Sequence, residues 1–209
     1  LNWFTDEYIS PKYMGQDAIF VHLFEKYHSM GASAWLSEEQ QKAIARRAYM
    51  LMSNLIGEKA ANLEFTDTSG KPAPLYNVNA AYTIVVFWDP ECGHCKQEIP
   101  RIDSFYKASW KNKNVQIYGV LSENEKLKEA WLGFIRAHNI TDWINVYQTK
   151  DAADREAKEQ KASFRQLYDI TSTPTIYLLD KDKHIIAKKL TPEQIDDLLK
   201  VKFKKDTNP

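Results

Sequence analysis

The spacing of apolar positions changes once along the chain, near Gly57. In residues 16–27, Ile19, Phe20, Leu23, Phe24 and Tyr27 recur at helical intervals, which predicts an amphipathic helix. A second helix is predicted behind Ser37 and Gln40, spaced as a capping box, with Ile44, Ala48, Leu51, Met52, Leu55 and Ile56 forming its apolar stripe. Residues 1–56 therefore read as a helical segment whose apolar faces need a surface to cover. The rest of the chain is the expected surface; an upstream domain or a dimer contact would serve equally in principle.

After Gly57 the pattern becomes short strands and turns. Leu63–Thr66, the turn Thr68–Lys71 and a strand near Pro74–Tyr76 predict an opening hairpin. Tyr82–Trp88 is a nearly unbroken β-branched and aromatic run, as expected of a central strand buried on both faces. A helix from about His94 to Trp110 and a strand Val115–Leu121 complete a strand-helix-strand unit, which requires parallel pairing and a right-handed crossover. Helical sequence at 125–138, a strand at Ile144–Tyr147, a charged helix or loop at 151–161 and a short helix carrying Phe164, Leu167 and Tyr168 follow. The strands Thr175–Leu179 and His184–Lys189 are joined closely enough for an antiparallel hairpin, and Thr191-Pro192 caps and opens a last helix. The expected class is α/β, a central mixed sheet flanked by helices, with residues 57–209 as one domain.

Composition narrows the partners. With 28 basic and 28 acidic side chains the chain has no net field to attract nucleic acid or an anionic membrane, so recognition must be local. The basic stretch 200–205 reads as a solvated helix end and tail. No apolar run approaches the roughly 18 residues of a membrane span. The chain opens on Leu1, as it would after removal of a signal peptide or lipid-anchor region.

The 2 cysteines, Cys92 and Cys95, follow the buried strand directly, where the chain turns into a helix. Free backbone N–H groups and the helix dipole favour an anion there, so a cysteine in the first turn ionises more readily. A thiol of pKa about 8.5 is only about 3% ionised at pH 7, and one lowered to about 7 is roughly half ionised. Residues three apart on a helix lie about 5–6 Å from one another, within reach of a disulfide. A zinc site is the competing reading, but it wants four ligands, and His22, His28, His94, His138 and His184 are scattered with no metal-ligand spacing. An inert buried pair is the remaining alternative.

These residues resemble the thioredoxin superfamily, most closely the TlpA/ResA-like (AhpC/TSA-type) thiol-disulfide oxidoreductases of the bacterial cell envelope. Phe87-Trp88 is similar to the family's aromatic pair, Cys92-Gly93-His94-Cys95 to its redox centre, Pro100 to its helix-kinking proline, and Thr173-Pro174 to its cis-proline segment. The resemblance runs from about Gly57 to Lys200 and implies a thioredoxin-like fold. It also implies a redox disulfide between Cys92 and Cys95, with Trp88, His94, Thr173 and Pro174 beside the substrate. The backbone of Thr173 would dock an extended peptide by strand addition. Glu98, in Cys-x-x-Cys-x-x-Glu-x-Pro, resembles the buried acid of the envelope reductases and would manage the proton of Cys95; a solvent-facing glutamate is the plainer alternative. Val86 stands where ordinary thioredoxins resemble one another in carrying an aspartate. The resemblance further implies no cofactor or metal, a disulfide-containing protein or peptide substrate, an upstream thiol donor that a membrane-embedded carrier could supply, and a periplasmic or cell-envelope setting with anchoring through a removed N-terminal segment.

Some positions depart from the pattern. Glu91 replaces a tryptophan, Ala61 a proline, and no glycine occupies the bend near Lys189. Direction stays open: Gly93-His94 resembles the dipeptide of protein disulfide isomerases, about 90 mV or roughly 4 kcal/mol more oxidising than thioredoxin, whereas Glu98 follows the reductases. Two other readings stand beside exchange. A peptide- or copper-binding module would use the cysteines as ligands, and a peroxiredoxin would want Thr or Ser where Asp89 stands.

Overall fold

In the computed structural model, which describes residues 1–123 and 125–206, six strands form one sheet in the order β1-β4-β3-β2-β5-β6. The strands are β1 (Thr66–Asp67), β2 (Tyr82–Trp88), β3 (Val115–Leu121), β4 (Ile144–Tyr147), β5 (Thr175–Leu179) and β6 (Ile185–Lys188). β2 pairs parallel with β3 and β3 with β4; β5 and β6 add antiparallel on one side, and β1 on the other. This is a thioredoxin-like mixed sheet.

Every residue of β2 is buried, because its two faces feed two cores. Ile84, Val86 and Trp88 meet helices α4 (Gly93–Phe105), α5 (Lys128–Ala137) and α8 (Pro192–Asp206). Val85 and Phe87 meet Leu63, Phe65 and Leu75 from the entry loop and Phe164 of α7 (Phe164–Leu167), with Tyr168 just beyond it. The run predicted to be central is therefore buried along its whole length and contributes to both layers. The charged segment settles as helix α6 (Lys150–Lys158), capped by Thr149 and without a buried residue.

The expected opening hairpin is realised only in part. Ala73 N–H donates to Phe65 (2.8 Å) and Leu75 N–H to Leu63 (3.0 Å), but 75–77 coils into a 3₁₀ turn and only Thr66–Asp67 joins the sheet. Pro72 and Pro74 alternate with the donating residues, and a proline has no N–H to extend a ladder. The predicted helix after Cys92 likewise ends its α-helical part at Phe105 and continues to Trp110 as a π-helical turn. Residues 207–209, the end of the expected domain, lie outside the described residues.

The N-terminal segment forms α1 (Asn2–Tyr8), which the apolar pattern did not announce, α2 (Asp17–Leu23) with a π-helical extension to His28, and α3 (Glu38–Met52). The Ser37–Gln40 capping box is present in both directions. The apolar stripes of α2 and α3 pack on each other, with Phe20, Phe24, Ala48 and Leu51 in a small core of their own. What joins this core to the edge strand β6 is polar: Lys188 Nζ bonds the carboxylate of Asp17, the carbonyl of Asn54 (2.7 Å) and its side-chain oxygen (2.6 Å). Asn54 in turn donates to Leu167 (3.0 Å), and Arg47 holds Asp169, which also takes Lys189 at 2.8 Å. Burial depresses the Lys188 ammonium, and Asp17 opposes that shift. Among the described residues no helix is long and apolar enough to cross a membrane.

Removing one member of a buried ion pair strands the other charge. Asp17→Ala is therefore expected to lower stability by about 3–5 kcal/mol, read as a fall in the urea midpoint at unchanged slope; a midpoint like that of the wild type would mean the N-terminal segment is not held through Lys188.

Candidate active site

The chain leaves the end of β2 through a tight turn in which Asp89 accepts Glu91 N–H at 2.7 Å, and enters α4 with Cys92 as its N-cap. An N-cap side chain faces the unpaired N–H groups of the first turn, the place a serine oxygen would otherwise fill. Cys92 makes no formal cap hydrogen bond as a thiol. Burial pushes that thiol up, but the backbone N–H groups of Cys95 and His94 and the side chains of Thr173 and Cys95 together hold it below the ordinary cysteine value.

Cys95, one turn along, is fully buried beneath Cys92 among Ile99, Trp88 and Ile176. Burial drives its thiol up to about 12, and the neighbouring Cys92 adds to the effect. Both cysteines are free thiols, Cys92 partly exposed and Cys95 inaccessible. The pair thus has one sulfur that ionises easily at the surface and one that resists ionisation below it.

Thr173 and Pro174 come to the same place from the loop before β5. The Thr173-Pro174 peptide is cis, and Cys92 Sγ lies 3.5 Å from the Thr173 carbonyl oxygen, a contact that only the protonated thiol can donate. Thr175 Oγ1 donates to Ser172 (2.6 Å) and fixes the loop behind it. His94 is exposed beside the helix start.

Glu98 lies on the face of α4 that includes Cys95, with its side chain 13% exposed and its carboxylate bonded to Arg101. Arg101 also bonds Glu193 at the start of α8. Neither Arg101 nor its bridge was anticipated: the Glu98–Arg101 spacing of three was readable, but Glu193 is brought in only by tertiary structure. Glu98, Arg101 and Glu193 line a cleft of about 460 Å³ with His94 and Pro174.

Trp88, expected beside the substrate, is fully buried and packs against Phe134 with ring centroids 5.1 Å apart. The reason is the strand's own alternation, which points Trp88 into the helix layer under α5. The departure at Lys189 also has a structural answer: the residue takes the left-handed backbone at φ 58°, the conformation a glycine would adopt without strain.

Comparison with known proteins agrees with this geometry. The model of the AhpC/TSA family matches residues 56–188. The thiol-disulfide oxidoreductase ResA of Bacillus cereus is 24% identical over 147 residues, covering 69% of this chain and 76% of its own. The sporulation thiol-disulfide oxidoreductase A of Bacillus subtilis is 25% identical over 174 residues, covering 81% and 88%. Among solved structures, a domain of a possible thiol-disulfide isomerase from Cytophaga hutchinsonii is 41% identical with a TM-score of 0.62, covering 73% of this chain and 95% of that one. A thioredoxin-like protein from Bacteroides caccae is 27% identical with a TM-score of 0.66 and covers 89% of this chain and 70% of its own. With a Cys-x-x-Cys pair at the head of α4 in a thioredoxin-like sheet, the chain belongs to the AhpC/TSA family and is a thiol-disulfide oxidoreductase related to the ResA-type proteins.

Proposed function

We propose that the protein reduces or exchanges disulfide bonds of protein or peptide substrates through Cys92-Gly93-His94-Cys95. The observation that carries the reading is the opposite tuning of the two thiols, Cys92 lowered at the surface and Cys95 raised to about 12 beneath it. A thiolate at Cys92 attacks one sulfur of the substrate disulfide, forming a mixed disulfide and expelling the other sulfur as a thiolate, which takes up a proton. Cys95 then gives up its proton and attacks Cys92, so the protein pair is oxidised and the substrate leaves with two thiols. An upstream thiol donor returns two electrons to the pair.

Thr173 and Pro174 form the docking edge in this reading, supported by the Cys92–Thr173 approach of 3.5 Å; an extended peptide would pair with the Thr173 backbone, whose carbonyl the Cys92 thiol gives up on ionising. His94 contributes at the rim. Glu98 is the proposed acceptor of the Cys95 proton, supported by its place on that helical face and its shielding from solvent; Arg101 must yield the carboxylate for the transfer. The proposed setting is the periplasm or cell envelope, where the donor is a membrane-held dithiol carrier and the chain itself is anchored through an upstream segment.

Three outcomes are expected. Cys92→Ser abolishes reduction of insulin disulfides, and Cys95→Ser accumulates mixed disulfides that depend on Cys92, while peroxide consumption stays at background because Asp89 replaces the hydroxyl residue of a peroxidatic site; efficient peroxide turnover would transfer the protein to that chemistry. Alkylation of the reduced protein, followed by mass spectrometry across pH, should label Cys92 with a midpoint below the ordinary thiol value of about 8.5 and leave Cys95 unlabelled at pH 8. Reactivity rises with pH through the Cys92 midpoint because only the thiolate attacks. Glu98→Gln is expected to slow resolution of the mixed disulfide by about 10²-fold with the Cys92 alkylation midpoint unmoved; unchanged single-turnover resolution would remove Glu98 from the proton path.

A further inference from the structure

The cleft beside the cysteines continues past the cis-proline loop. Thr171, Lys189 and Leu190 line it and also line a larger cavity of about 740 Å³, whose opposite wall is the N-terminal segment through Tyr13 and Arg47. The two cavities therefore adjoin along these three residues, one at the head of α4 and the other against α3, and together outline a groove.

The ends of this groove carry opposite charge. Near the cysteines Arg101 serves two carboxylates, Glu98 and Glu193, so this ion-paired cluster carries one excess negative charge, with Lys189 standing on the wall shared with the far cavity. Beyond Lys189 the ratio is reversed: the carboxylate of Asp169 serves two cations, Arg47 and Lys189. The Asp169 side chain is 1% exposed, whereas Arg47 is 22% and Lys189 45% exposed, so the groove presents the cations and hides the acid. Neighbouring pairs do not cancel this excess, since Lys188 is matched by Asp17 and Lys12 by Glu7.

We propose that this groove binds the substrate chain and that Arg47 and Lys189 form a subsite for an acidic side chain several residues from the attacked disulfide. The proposal rests on the exchange reading for the identity of the substrate. An extended peptide advances about 3.3 Å per residue, so a chain docked on Thr173 reaches the far cavity within a few residues. A carboxylate arriving there restores two cations to two anions, meeting the Lys189 ammonium and the N–H groups that Arg47 leaves unused beside its bonds to Asp169 and Ile9. An acid beside the cysteine instead meets Glu98 and Glu193. The N-terminal segment thereby supplies part of the specificity surface, through α3.

The test uses the full chain and three labelled peptides of equal length, with serines in place of the disulfide cysteines and Asp, Ser or Lys at the distal positions on both sides. Fluorescence anisotropy at low salt should rank them Asp, Ser, Lys, with about fivefold between Asp and Ser, the size of a partly exposed ion pair. The difference should collapse at about 1 M salt, where the screening length is about 3 Å. In Lys189→Asn, a residue tolerant of the left-handed backbone, the Asp preference should shrink to near unity. Equal affinity for the three peptides, or a preference untouched by salt or by Lys189→Asn, overturns the subsite. Turnover of the matching disulfide peptides separates the two readings: an Asp preference in binding with no turnover of any peptide keeps the subsite and removes the exchange reading.

Discussion

Everything about this site follows from where one sulfur sits relative to unpaired backbone N–H groups. Cys92 is the N-cap of α4, so the first-turn amides that any helix leaves without partners face a group that can become an anion. That placement needs a rigid strand end on one side and an anchored helix on the other. β2 supplies the first by burying both faces, and α4 the second by sinking Cys95, Ile99 and Ile102 into the layer beneath. The two cysteines differ only by one helical turn in position, yet one is partly exposed and the other is fully buried in the hydrophobic core. Burial raises both thiols, and their opposite shifts arise because only Cys92 has enough hydrogen-bond partners around it to outweigh that effect.

Much of this was legible because it depends on local sequence. A seven-residue β-branched and aromatic run followed at once by Cys-x-x-Cys specifies strand, turn and helix start together, and the Thr191-Pro192 and Ser37–Gln40 caps behave as their spacing implies. What stayed hidden was mostly decided by a second, distant element. Trp88 has the sequence signature of a residue beside the centre, but strand parity and the arrival of α5 bury it. The hairpin near Pro74 forms only in part for a local reason instead, since two prolines interrupt its donors, a fact that the alternation of apolar residues concealed. Glu98 was legible as a candidate, whereas its bridge through Arg101 to Glu193 was not, since α8 is 92 residues away in sequence.

The N-terminal segment shows the same division between local and tertiary information. Its amphipathic helices were readable, and their apolar faces pointed to a buried contact, but those faces mostly satisfy one another. The attachment to the domain is instead made by Asp17, Arg47 and Asn54, polar residues that sequence reading gives no reason to select. Buried polar contacts of this kind add less net stability than apolar burial of equal area, and they demand a defined geometry. Their effect is to fix how α3 meets β6 and the segment that leads from Asp169 to Thr173.

That geometry ties the segment to the chemistry by way of a loop rather than by contact with the cysteines. Asp169 is held by Arg47 from one side and Lys189 from the other, and Thr173, four residues on, faces Cys92. Tyr177 donates to the Tyr168 carbonyl at 2.6 Å, and the Tyr168 hydroxyl itself bonds Ala61, so the start of the same loop is also pinned from within the domain. A loop fixed at both ends by buried partners can present a backbone edge with little ordering left to lose when a peptide docks. In the proposed reading the selectivity of the centre lies in the charges along the groove, and these are set by pairs that link α3, the residue after β6, α4 and α8 rather than by the four residues of the redox motif.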